Sequence, residues 1–175
     1  HFQSTIDYAA GELVLGKRSA AAPADASNGS TGASEISLPF WMADDHFIVA
    51  WGAANRGPQM LFFVDTGLAG AGFTCPPSTV KAAGIELRED QAGTGPGGGG
   101  EVAFVPFVLE QLSLGELRRE HVDGAAGPFP PQLEWDLGFH IGGLVSHQFF
   151  RPGALTLDFA AMRLRVRSAP ASASN

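Results

Sequence analysis

The sequence opens with Thr5-Ile6-Asp7-Tyr8-Ala9-Ala10-Gly11-Glu12-Leu13-Val14-Leu15 and closes with a near-copy, Thr156-Leu157-Asp158-Phe159-Ala160-Ala161-Met162-Arg163-Leu164-Arg165-Val166. Identical or like residues stand 151 positions apart from Thr5 through Ala10. Each copy reads as a β-hairpin, two short alternating runs around a turn of small residues. A supersecondary unit repeated at both ends predicts a chain that begins with the last hairpin of an earlier lobe and then runs through a complete later one. An isolated hairpin is at best marginally stable in water, so the first must dock on the body of this chain, on a second copy or on another lobe.

Composition narrows the rest. With 175 residues, 45% hydrophobic and 17% charged, the chain is long enough for one packed core of ordinary size. Its 23 glycines and 12 prolines against two lysines predict many turns and few long helices, hence an all-β domain. A net charge of -7 with scattered basic residues offers no footprint for nucleic acid or an anionic membrane. No segment reaches the roughly 20 apolar residues of a membrane span, and none has the charged-then-apolar form of a signal segment, so the mature chain is expected to be soluble. Cys75 is the single cysteine, which rules out an intrachain disulfide and a thiolate metal cluster. It leaves the compartment open, a periplasmic or secreted location included.

Along the chain, residues 1–15 form the first hairpin, and residues 16–35, nearly all Ala, Ser, Gly, Asn and Pro, read as a flexible tether. A lobe over 36–167 follows, then a polar tail over 168–175. Strands are expected at Ile36–Trp41, His46–Trp51 and Gln59–Val64, the last two joined by a turn at Asn55-Arg56-Gly57-Pro58. The run Leu61–Val64 is apolar on both faces, as in a strand buried within a sheet or barrel. Pro76–Gly84 reads as a short helix capped by Ser78 and stopped by Gly84. Ile85–Asp90 and Glu101–Leu109 would flank a glycine-rich hairpin tip at Gly93–Gly100. Leu112–Val122 reads as a β pair turning at Gly115-Glu116. Asp123–Phe139 reads as a loop, Ile141–Leu144 as the approach to a short helical stretch, and Val145–Phe150 as that stretch.

The residues with chemical promise are Asp65-Thr66-Gly67. A bare triplet is a weak signal, and an ordinary strand-end turn uses the same residues. Here the triplet follows a fully apolar strand and precedes a small-residue run, a helix, a glycine-tipped hairpin and an apolar-Gly-Gly motif, the order that a water-activating carboxylate at the floor of a cleft requires.

Phe62-Phe63-Val64-Asp65-Thr66-Gly67, Ile141-Gly142-Gly143-Leu144-Val145-Ser146-His147-Gln148-Phe149-Phe150 and Thr156-Leu157-Asp158-Phe159 together resemble the retropepsin-like aspartic proteases, specifically the bacterial aspartyl protease family, over about Ile36 to Val166. The resemblance implies a closed β-barrel with one or two short helices, here the C-terminal lobe of a duplicated chain. It implies an aspartic endopeptidase acting on peptides or proteins, without a cofactor or metal. Asp65 would be the catalytic carboxylate, Thr66 would hydrogen-bond across to a facing lobe, and Gly67 would let the two backbones approach. Gly97, Gly98 and Gly99 would belong to a flap over the substrate, and Ile141 and Gly142 would brace the Asp loop. Val122-Asp123-Gly124 is a second candidate for bracing; Ile141-Gly142-Gly143 is preferred because it leads directly into the helical stretch. Family members work with two carboxylates sharing one proton, because like charges a few ångströms apart resist joint ionisation. One lobe supplies one Asp, so a second lobe or a homodimer mate is implied. Leu68 and the long Gly124–Gly138 loop depart from the family pattern.

The alternative is a non-catalytic peptide-binding or structural lobe of a duplicated protein. Gly93, Gly95 and Gly98 fit a dinucleotide-binding spacing, but a strand follows where a helix is needed. The five histidines lack metal-site spacing. Cys75 with a histidine could in principle form a thiol hydrolase, although nothing nearby in sequence activates the thiol. Trp41, Trp51 and Trp135 are candidates to line a substrate groove, but Trp41 and Trp51 lie in expected strands and are assigned to the core.

Overall fold

The computed structural model describes residues 2–17, 35–97, 100–151 and 153–168. In chain order its strands are β1 (Phe2–Asp7), β2 (Glu12–Lys17), β3 (Glu35–Pro39), β4 (Trp41–Ala43), β5 (Phe47–Ala54), β6 (Met60–Asp65), β7 (Phe73–Cys75), β8 (Gly93–Gly97), β9 (Gly100–Leu114), β10 (Leu117–Ala126), β11 (Ile141–Ser146), β12 (Ala154–Asp158) and β13 (Arg163–Arg167). Among the described residues three short α-helices, α1 (Pro77–Ala83), α2 (Pro131–Leu137) and α3 (His147–Phe150), and a 3-10 turn at Glu89–Gln91 interrupt them, more than the one or two helices expected. The protein is mostly β with few helices, as its glycine and proline content requires. Packing divides it into two units, residues 40–149 and residues 1–39 with 150–175.

In the larger unit the sheet order is β4-β5-β6-β11-β7-β10-β9-β8, and β5 pairs with β9 as well. The apolar run Leu61–Val64 becomes β6, flanked by β5 antiparallel and β11 parallel. Phe62, Phe73, Phe107, Leu109, Leu112, Leu114, Val145 and Phe149 fill its core, with Phe62 and Phe73 edge to face at 4.9 Å. Gly142 sits where a Cβ would come within 2.6 Å of the Met60 Cβ, so only glycine lets β11 lie this close to the start of β6.

The smaller unit is a five-stranded sheet, β2-β1-β12-β13-β3. The two near-copy hairpins lie side by side through β1 and β12. Asp7 and Asp158 cap their turns: Asp7 accepts from the Ala9 and Ala10 N–H groups, and Asp158 from those of Ala160 and Ala161. Asp158 is buried and also meets Arg165 at 3.3 Å.

Several expectations need revision. The strand expected over Ile36–Trp41 breaks at Phe40 into β3 and β4. Ser78 does not cap α1; Pro76 and Pro77 open the helix, where a missing N–H costs nothing, while Gly84 stops it at φ 60° as expected. Ile85–Asp90 is not a hairpin arm. The glycine segment Gly93–Gly97 is itself strand β8, because the Phe104 ring covers Gly93 and Gly95 and supplies the packing that their missing side chains cannot. Asp123–Phe139 is not all loop, since β10 continues to Ala126 and α2 follows. Pro131 stands in the first turn of α2, and Leu133 and Leu137, four apart, pack on Val49, Phe63 and Ile141. The helix expected from Val145 begins at His147. Trp41 and Trp51 are not core residues, being 45% and 47% exposed. Residues 18–34 of the expected tether lie outside the described residues, as do Gly98 and Gly99.

Candidate active site

Asp65 is delivered to its place by the burial of the strand before it. Phe62, Phe63 and Val64 are buried in succession, Asp65 is half-buried, and Thr66 and Gly67 are exposed. The chain then turns. The Gly67 N–H donates to Asp65 Oδ1 at 2.9 Å, which fixes one carboxylate oxygen. Gly67 lies so close that an added Cβ would stand 3.4 Å from that oxygen.

The parallel register of β11 on β6 sets Val145 beside Val64 and Ser146 beside Asp65. Ser146 is fully buried; its N–H donates to the Gly72 carbonyl at 3.0 Å and its Oγ accepts from the Gln148 N–H at 3.1 Å. His147 comes next, and its Nδ1 donates to the Leu68 carbonyl at 3.0 Å, tying the loop after Asp65 to the start of α3. Ser146 and His147 are the two residues at this loop that sequence reasoning missed. Their signal was the helical stretch itself, whose first residues pack against the Asp turn.

Ile141 and Gly142 lie at the other end of the same pairing. Ile141 is buried beside Leu61, and the Gly142 carbonyl accepts from the Thr79 hydroxyl of α1 at 2.7 Å. Gly124 of the Val122-Asp123-Gly124 segment pairs with Phe73 of β7, and the Asp123 carbonyl accepts from the Gly72 N–H at 2.8 Å. Both segments therefore reach the Asp loop through intermediates, the first through β6 and the second through Gly72.

A cleft of about 780 Å³ opens at Asp65. Its lining includes Gly67 and Leu68 beside Asp65, Gly95, Gly97 and Val102 of the β8–β9 hairpin, and Gly127 and Phe129. Apart from Asp65 and Thr74 its lining is glycine, alanine or larger apolar residues, which suits side chains of an extended peptide and leaves one carboxylate able to move a proton.

The other chemical candidates fare differently. Cys75 is fully buried and burial pushes its thiol up to about 12, so it has no thiolate to offer at neutral pH. Among the described residues, Asp44, Asp45 and His46 bring three donor atoms within 4.8 Å of one another, all exposed on a surface turn.

No protein-family model matches this chain, and neither does any curated protein sequence. Its fold is similar to the crystal structure of a retropepsin-like aspartic protease from Rickettsia conorii, with a TM-score of 0.50 and 16% identity. The alignment covers 79% of this chain and 93% of that one. At this identity the likeness concerns the fold.

Proposed function

We propose that this chain is a lobe of an aspartic endopeptidase in which Asp65 supplies one carboxylate of a catalytic pair. The observation that carries the reading is the position of Asp65: the end of a buried strand, in a cleft that a glycine-rich hairpin also lines. The likeness of fold to a retropepsin-like protease supports it.

The second carboxylate belongs to another lobe or to a homodimer mate. Two facing carboxylates share one proton, so at one pH the ionised member takes a proton from water while the protonated member donates to the substrate carbonyl oxygen. The water oxygen bonds to the carbonyl carbon. Collapse of that intermediate breaks the C–N bond as the carboxyl that took the water proton gives it to the amine nitrogen and the other carboxylate takes a proton from one of the two hydroxyls. Thr66 and Gly67, exposed beside Asp65, form the contact with the facing loop in this reading. The Gly93–Gly100 hairpin, with Gly97, Gly98 and Gly99 at its end, is the flap, and the larger sheet is a closed barrel of the retropepsin type. Ile141 and Gly142 brace β6 from its start, so that Asp65 is held from behind. The substrate lies extended, adding a strand along the hairpin edge with side chains entering the cleft alternately.

The test is cleavage of a peptide library at acid pH by the natural chain and by Asp65→Asn. The reading requires a loss of about 10²–10⁴-fold in rate, the worth of a positioned acid or base. Asparagine still accepts from the Gly67 N–H, so the fold should survive. Cleavage unchanged by the substitution, or peptide binding without cleavage by the natural chain, makes the lobe a binding module instead.

A further inference from the structure

A second cleft lies in the larger unit and shares no lining residue with the one at Asp65. It has a volume of about 770 Å³. One wall is sheet: Trp41 of β4 stands opposite Val49 of β5, and Trp51, two residues on, points to the same face. The other wall is α2, through Leu133 and Leu137. Asp44 and Asp136 line the cleft as well, and among the described residues no Lys or Arg does.

Two features of this cleft suit it to a cationic ligand. Trp41 and Trp51 leave nearly half their surface in water although both stand in strands next to apolar neighbours. Asp44 and Asp136 line the cleft with the two indoles, and among the described residues His46, beside Asp44, is the basic group that stands near them; Asp136 accepts from the Gln132 amide at 2.7 Å. Indole faces attract cations, and carboxylates at the rim of an aromatic site add to that attraction. Between organic cations, a guanidinium suits the site better than an ammonium. It is planar, stacks on an aromatic face, and donates in its own plane to carboxylates on either side.

We propose that this cleft binds the side chain of an arginine carried on a peptide, with the guanidinium on Trp41 and Trp51 and its N–H groups directed to Asp44 and Asp136. The site is separate from the Asp65 cleft and does not depend on what Asp65 does.

The experiment is a fluorescence titration of Trp135→Phe, which removes the tryptophan outside the cleft and leaves Trp41 and Trp51 as reporters. The probes are N-acetylarginine amide, its neutral near-isostere N-acetylcitrulline amide, and N-acetyllysine amide with a free side-chain amine, all with a metal chelator present. The expected result is saturable quenching by the arginine probe, at least about tenfold weaker binding of the other two, and a similar loss in Asp44→Asn/Asp136→Asn. Asparagine tolerates the φ of 53° at position 44, and both positions are on the surface, so that variant should fold. Absence of saturation, an equal response to citrulline or lysine, or unchanged binding by the double variant overturns the proposal.

Discussion

The hydroxyls of Thr5 and Thr156, matched positions in the two near-copy hairpins, lie 2.8 Å apart across the β1–β12 pairing. Ser4 pairs with Leu157 and Ile6 with Leu155, so the two copies are related by a local two-fold axis passing between the threonines. A sequence repeat thus becomes a symmetric sheet.

Replacing either threonine by valine should lower stability by about 0.5–1.5 kcal/mol, the usual net worth of a hydrogen bond. Replacing both should cost less than the sum, because the second substitution removes a partner already lost. A double-mutant cycle by urea denaturation measures the difference; strict additivity would mean that the contact contributes nothing.

The two-fold is incomplete on its outer side. Leu164 and Val166 are fully buried and pair with Leu38 and Ile36 of β3, whereas their counterparts Leu13 and Leu15 are 65% and 67% exposed on the edge strand β2. Leu164→Ala should therefore cost about 2–5 kcal/mol. The double change Leu13→Lys/Leu15→Lys should leave stability within about 0.5 kcal/mol. It should also reduce self-association in sedimentation velocity, since charged residues on an edge strand oppose further pairing.

His147 holds the Leu68 carbonyl, three residues beyond Asp65. His147→Ala should cost about 1 kcal/mol in stability, and it should reduce the rate of peptide cleavage through a looser Asp loop. The readout is kcat against KM: a positioning role lowers kcat, while a purely structural role leaves the folded fraction with its full kcat.

Burial raises the Cys75 thiol from 9.0 to about 12. The folded chain then keeps a proton that the unfolded chain releases, so this contribution to stability is complete below about pH 9 and is lost as pH rises toward 12. Denaturation midpoints between pH 8 and pH 11 should fall more steeply in the natural chain than in Cys75→Ala. Alkylating reagents should label Cys75 only on unfolding, and rapid labelling of the native chain at neutral pH would contradict its burial.

How far the sequence could be read depends on which signals are local. The hairpin turns at Ala9–Gly11 and Ala160–Met162, the stop at Gly84 and the buried strand leading to Asp65 were all legible, because glycine geometry and apolar runs act within a few residues. Helix α2 was hidden by its prolines, which sit at its start rather than within it. Strand β8 was hidden because its packing comes from Phe104 on the opposite strand.

The sequence by itself determined that the chain is mostly β, that its ends repeat, and that an acid stands at the exit of a buried strand. Only the tertiary structure decided which residues share that acid's surroundings. Ser146 pairs in register with Asp65, His147 reaches Leu68, and Trp41 and Trp51 line a cleft, because strand register across some eighty residues is set by pairing and burial in three dimensions. No periodicity within a single strand encodes the identity of the strand beside it.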